Sequence, residues 1–170
     1  MPEPILIWTA SLCTGNTGYG GWAWVRIQGG AIKGAAGGAK GMTPERVALT
    51  AVLEALGGAD EAEKGAALRI HSENAVVAEG GPSLAAWKAA GWTTDKGEPV
   101  ADKDLWEKID KALIARGGAA SFARSKAGEE ATFVTAWANF AHDTLKARGP
   151  LNATIPKTNL TKLMEKRRAV

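Results

Sequence analysis

The stretch Ile7-Trp8-Thr9-Ala10-Ser11-Leu12-Cys13-Thr14-Gly15-Asn16-Thr17-Gly18-Tyr19-Gly20-Gly21-Trp22 links two segments of different character. Upstream, Ile5 to Thr9 is a short apolar run, the pattern of a buried central strand. Gly15 to Gly21 reads as a turn. Downstream, Gly21 to Gln28 alternates: Trp22, Trp24 and Arg26 face one way, and Ala23, Val25 and Ile27 the other. A third, weak strand is expected within Gly29 to Lys40, after a Gly29-Gly30 hairpin.

Thr43-Pro44 has the form of a helix start, a hydroxyl N-cap followed by proline at the first helical position. Val47, Leu49, Val52, Leu53 and Leu56 supply its apolar face, and Gly57-Gly58 stops it. Ala66 to His71 reads as a strand. A short helix from Asn74 to Glu79 is expected to end at Gly80-Gly81-Pro82, and Ser83 to cap another ending near Gly91. Asp102 opens a longer helix stopped by Gly117-Gly118, and Ala119 to Arg124 is a last strand. Gly128 to Ala147 is an amphipathic helix with Phe133, Trp137, Phe140 and Leu145 at helical spacing. After Gly149-Pro150 little periodicity remains, apart from a short basic helix within Leu160 to Arg168. This order makes a mixed α/β sheet flanked by helices.

At 170 residues, with 45% hydrophobic and 23% charged residues, the chain is expected to be one globular domain with a sizeable core. No apolar run reaches the roughly 20 residues that span a bilayer. There is no basic region followed by an apolar core of the kind that opens a signal peptide. Cys13 is the only cysteine, which fits a reducing cytoplasm, and two histidines with it do not suggest zinc. Residues 1–115 carry 11 Lys/Arg against 14 Asp/Glu; residues 116–170 carry 10 against 4. The basic final third is the better candidate for contact with phosphates or with an acidic partner, its alternative being a solvated face.

The opening stretch resembles that of type 1 ribonuclease H enzymes, which read T-D-G-S-C, a variable residue, then G-N-x-G-x-G-G-W. Two further places carry the resemblance. Trp87-Lys88-Ala89-Ala90-Gly91-Trp92 and Pro99-Val100 to Asp104-Leu105-Trp106 are similar to W-K-x-x-G-W and P-V-x-N-x-D-L-W, and Arg46 and Leu49 after Thr43 fit T-N-N-R-x-E-L. It runs from about Ile5 to Leu145. It implies a ribonuclease H-like fold with a mixed five-stranded sheet flanked by helices, in a domain of residues 1–148 followed by a basic tail, 149–170.

The chemistry that the resemblance implies is two-metal phosphodiester cleavage, in which clustered carboxylates hold hard divalent cations. The family's carboxylate positions fall at Ala10, Ala48, Ser72 and Ala136, and its loop histidine near Lys126. Glu45 shares a helix face with Ala48 but also reads as a first-turn acid facing the helix dipole. Glu73 follows Ser72, where one step along a strand reverses the side chain. The reading at this point is a non-enzyme, a pseudoenzyme of the family with no cofactor or metal and no catalytic residue. It would bind RNA/DNA hybrid or double-stranded RNA without cutting it. Its alternatives are a protein-interaction scaffold using the tail and, last, residual metal-dependent cleavage.

By resemblance, Asn16 lines a minor groove, Thr43 helps to hold a DNA phosphate, and Asn74 is a further groove contact. Asn16 also reads as a turn residue and Thr43 as a cap. Arg124 and Lys126 would supply phosphate contacts, continuing through Lys146 and Arg148 into the tail. From Trp87 to Asp104 the charge nearly cancels, with Lys88, Lys96 and Lys103 against Asp95, Glu98, Asp102 and Asp104. That region should grip phosphates weakly, and its tryptophans read as packing or as stacking platforms.

Overall fold

The computed structural model describes residues 2–15 and 18–169. Its strands are β1 (Ile5–Thr14), β2 (Gly18–Gln28), β3 (Ala31–Met42), β4 (Leu68–Ser72), β5 (Ala120–Arg124) and β6 (Leu151–Thr154). Its helices are α1 (Pro44–Leu56), α2 (Ala75–Ala89), α3 (Lys103–Arg116), α4 (Glu129–Arg148) and α5 (Lys157–Arg168). One mixed sheet runs in the order β5-β4-β1-β2-β3-β6. The β1–β2–β3 meander is antiparallel and the β1–β4–β5 side parallel. This is the expected α/β architecture with six strands in place of five. The extra strand comes from the residues set apart as a tail: Leu151–Thr154 pair with Ala35–Gly38 at the β3 edge.

Alternation along the strands sends side chains to two cores. On one face Ile5, Ile7, Leu68 and Ile70 meet α1, α2 and α3, with Trp106 and Ile109 fully enclosed. On the other, Ala10, Ala23, Val25 and Ala36 meet α4 and α5. Residues 157–168 showed little periodicity because α5 buries only Leu160, Leu163 and Met164.

Gly21 and Gly38 face each other across β2 and β3 and let α4 come close. A Cβ on Gly21 would lie 2.5 Å from the Ala138 carbonyl oxygen and from the His142 backbone nitrogen, and one on Gly38 would lie 3.1 Å from the Ala141 oxygen. At that separation α4 turns mainly small residues inward: its buried positions are Ala131, Val134, Ala138 and Ala141, with His142 and Leu145 in the last two turns. The aromatic face expected of this helix is therefore displaced. Phe133 and Trp137 lie half-buried on its flank, and Phe140 is 53% exposed. The ring of the enclosed His142 meets Thr14 Oγ1 at 2.8 Å, pinning α4 to the end of β1.

The two short helices expected on either side of Gly80-Gly81-Pro82 are one, α2, with Pro82 inside it. The glycines serve packing: a Cβ on Gly80 would stand 2.5 Å from the Trp106 ring and one on Gly81 would stand 2.1 Å from Phe122. Pro82 is exposed and removes the helical donor to the Ala78 carbonyl, one turn earlier.

Replacing Gly21 by alanine should overpack the α4 contact against backbone and cost about 2 kcal/mol. For a chain of this size, that is a fall of about 5 °C in the thermal midpoint. Gly41→Ala, at a φ of 74° with open space around it, should act only through its backbone conformation and cost less.

Candidate nucleic-acid interface

β1 and β4 run parallel, with Thr9 paired to Ser72, and their carboxyl-terminal ends open into a cavity of about 200 Å³ lined by Ala10, Ser11, Ser72, Glu73 and Asn74. Ser72 is buried, and its Oγ accepts from the Asn74 backbone N–H at 3.1 Å. Asn74 Oδ1 in turn accepts from Val77 N–H at 3.2 Å and caps α2, so this oxygen is already engaged as a helix cap. The chain bends after Ser72, and Glu73, exposed, reaches the cavity as the strand's own alternation would not allow. The Ser125 N–H donates to Ser72 O at 2.9 Å. That bond holds the loop after β5 beside the cavity, with Arg124 and Lys126 both exposed.

The remaining positions separate. Ala48 is buried in the core under α1, Ala10 in the core under α4. Ala136, expected beside Ala10, is instead exposed on the outer side of α4, in a groove against α5. Val134 and Ala138 pack in the core with Ala10. Two residues advance a helix by about 200°, which turns Ala136 away. The basic patch divides as well. Lys126 precedes α4, whereas Lys146 and Arg148 lie in its last turn, about 30 Å away at 1.5 Å per residue. Lys146 sits with Lys40 over the Tyr19 ring, 5.7 and 5.6 Å from its centre. Asn16 lies outside the described residues.

Thr43 accepts the Arg46 N–H at 3.3 Å as the N-cap of α1. The Arg46 guanidinium is bound to Asp102 at 3.0 Å and to Asp104 at 2.8 Å, and these bonds raise its pKa. The hydrogen bond from Arg46 holds the Asp104 carboxyl down at about 2. This cation is engaged inside the protein rather than offered to a phosphate. Trp87 meets Trp106 edge to face with ring centres 5.5 Å apart, and Trp87 and Trp92 pack on the α1–α3 core, which makes them packing residues.

Sequence reasoning missed a buried charge cluster at the opposite end of the sheet. Arg26 and Arg116 close on Glu63, with N–O distances of 2.6 and 3.3 Å. Burial pushes the Glu63 carboxyl up, but Lys33 and Arg26 outweigh it and hold the group below its usual range. Arg26 also donates to the carbonyls of Ala55, Gly57 and Gly58, and Arg116 to that of Leu56, satisfying the end of α1. The signal for it was an arginine in register with Trp22 and Trp24 on a buried face.

Among the described residues, no three His, Cys, Asp or Glu side chains converge where they could hold a metal ion. The strand-end cavity offers one exposed carboxylate, two hydroxyls and an amide. That set does not fit a pair of hard divalent cations, which call for several carboxylate oxygens.

The RNase H family profile matches residues 2–131. This chain belongs to the RNase H family. A Ribonuclease H of Polaromonas naphthalenivorans is 35% identical over 68% of this chain and 71% of its own length. One of Verminephrobacter eiseniae is 37% identical over 66% of this chain and 70% of its own. A solved structure of LC11-RNase H1 in complex with RNA/DNA hybrid superposes with a TM-score of 0.60 at 17% identity, spanning 84% of this chain and 99% of that one. The fold is ribonuclease H-like. The relatives also correct the expectation of a non-enzyme: both carry the name of a nuclease, and kinship at this identity points to an enzyme. No helix is long and apolar enough to cross a membrane among the described residues.

Asp104, with its pKa lowered from 3.8 to about 2, binds fewer protons folded than unfolded between those values. Its stabilising contribution is therefore complete above about pH 4 and lost as pH falls through 2. Because the pair is more than half exposed on the Asp104 side, it is worth at most about 1 kcal/mol. Asp104→Asn should flatten acid unfolding in that window and leave stability at pH 7 slightly lower, as read by denaturant titration at several pH values.

Proposed function

We propose that this RNase H family member binds RNA/DNA hybrid at the end of the sheet where β1 and β4 open, with Arg124 and Lys126 on the phosphate backbone. The observation that supports the reading is the Ser125–Ser72 bond, which fastens the segment bearing the exposed Arg124 and Lys126 to the end of β4, whose Ser72 lines the cavity. Support comes from the relatives named Ribonuclease H and from the like-folded protein solved with RNA/DNA hybrid. The Thr43 and Asn74 side chains are engaged as helix caps, so any contact with the ligand would come second to that role. Double-stranded RNA shares the A-form features read by such a surface and is the nearest alternative ligand. The lone Cys13 fits a reducing compartment such as the cytoplasm.

A ribonuclease action is the second reading, and the relatives' name favours it. Any cleavage at this cavity would draw on Glu73, the one carboxylate that lines it, with Glu45 half-buried in the first turn of α1.

The test is binding of fluorescent hybrid, RNA duplex and DNA duplex at two salt concentrations, with and without Mg²⁺, scoring each sample for cleavage. Hybrid binding should weaken steeply with salt. Lys126→Ala should reduce the slope of log K against log salt by about 1. Absence of binding to any nucleic acid would sink the reading and leave a protein partner. Mg²⁺-dependent cleavage lost in Glu73→Gln would establish the second reading.

A further inference from the structure

We infer that α4 and α5 form a second nucleic-acid contact, separate from the strand-end cavity, that takes unpaired single strand by stacking its bases on Trp137. The helices lie antiparallel and enclose a groove of about 310 Å³ between Phe133, Ala136, Trp137 and Leu163, rimmed by Lys162 and Lys166 with Glu129 beside them. Phe133, Trp137 and Phe140 make a continuous aromatic ladder, with ring centres 6.4 and 5.3 Å apart. Phe133 and Trp137 pack in part against the core beneath α4, and Phe140 is 53% exposed, so the ladder is only partly enclosed by that core.

Charge selects the occupant. The α5 helix carries Lys157, Lys162, Lys166, Arg167 and Arg168 against Glu165. Two of these cations meet glutamates at the start of α4: the exposed Lys166 lies 3.8 Å from Glu129, and Arg167 pairs with Glu130 while covering the Trp8 ring. Lys162, exposed on the groove rim, has no carboxylate partner among the described residues. Half-exposed aromatic rings beside unpaired ammonium groups are the arrangement by which proteins hold single strands without reading sequence: bases stack, and phosphates meet lysine. A neutral apolar partner would leave Lys162 uncompensated. This inference does not rest on hybrid binding, since no residue of the strand-end cavity takes part in it.

The experiment compares the affinity of the full chain for short oligothymidylate, blunt hybrid and hybrid with a single-stranded overhang. Wild type should bind the overhang hybrid more tightly than the blunt one. Trp137→Ala should weaken oligothymidylate and overhang binding about tenfold and leave blunt hybrid unchanged, while Trp137→Phe retains most of the affinity. Lys162→Glu, at an exposed position, should weaken binding of the same two ligands and leave blunt hybrid unchanged. Equal affinity for blunt and overhang hybrids, or Trp137→Ala and Lys162→Glu variants that bind oligothymidylate like wild type, would overturn the proposal. So would a concentration-dependent dimer abolished by Trp137→Ala, which would give this face to a second copy of the chain.

Discussion

The approach of α4 to the paired glycines Gly21 and Gly38 governs most of what surrounds it. Side chains on those two positions would occupy the space of the Ala138 and Ala141 carbonyls, so the helix and the sheet meet backbone to backbone. The helix answers with Ala131, Val134, Ala138 and Ala141, and its larger rings move to the flank. That displacement creates the aromatic wall against which α5 leans, and it carries β6 back to the β3 edge. It also settles the neighbour of Ala10, which packs in the α4 core with Val134 and Ala138, out of reach of Ala136.

The two ends of the sheet divide the work. At one end Arg26, Glu63 and Arg116 are enclosed together, and their hydrogen bonds finish the carboxyl end of α1. Removing one partner from such a cluster leaves an uncompensated buried charge, typically about 3–5 kcal/mol, so this end is fixed. At the other end β4 stops at Ser72 while β1 runs on, and a side-chain cap and single backbone bonds hold Asn74 and the loop before α4. Chain ends and loops with few buried partners are where a ligand can be met without loss of the core.

Much of this was legible in the sequence, and the gaps have physical causes. The Thr43-Pro44 cap, the glycine stop after Leu56 and the alternation of Trp22, Trp24 and Arg26 each depend on local chemistry, and each stands where the pattern put it. The motif around Cys13 and the tryptophan spacings carried the family. Gly80, Gly81 and Pro82 misled because they read as punctuation, when the glycines answer to Trp106 and Phe122, both remote in sequence. Phe133, Trp137 and Phe140 misled because helical spacing identifies a face without saying which neighbour it meets. The β6–α5 unit was faint because four residues of strand and three buried helical positions leave little periodicity to detect.

The candidate site shows the same dependence of local chemistry on distant packing. Ala10, Ala48 and Ser72 each present a methyl or a hydroxyl to a buried environment. A carboxylate at any of these positions would be costly without a cation, since desolvation and mutual repulsion both disfavour its charged form. With small uncharged groups there, the strand ends pack without that demand, and the positive field beside them comes from Arg124 and Lys126 on the adjoining strand and loop. An anionic ligand would then be attracted by side chains that the core does not need, on a platform whose stability is set elsewhere, by α4 on its glycines and by Glu63 between its arginines.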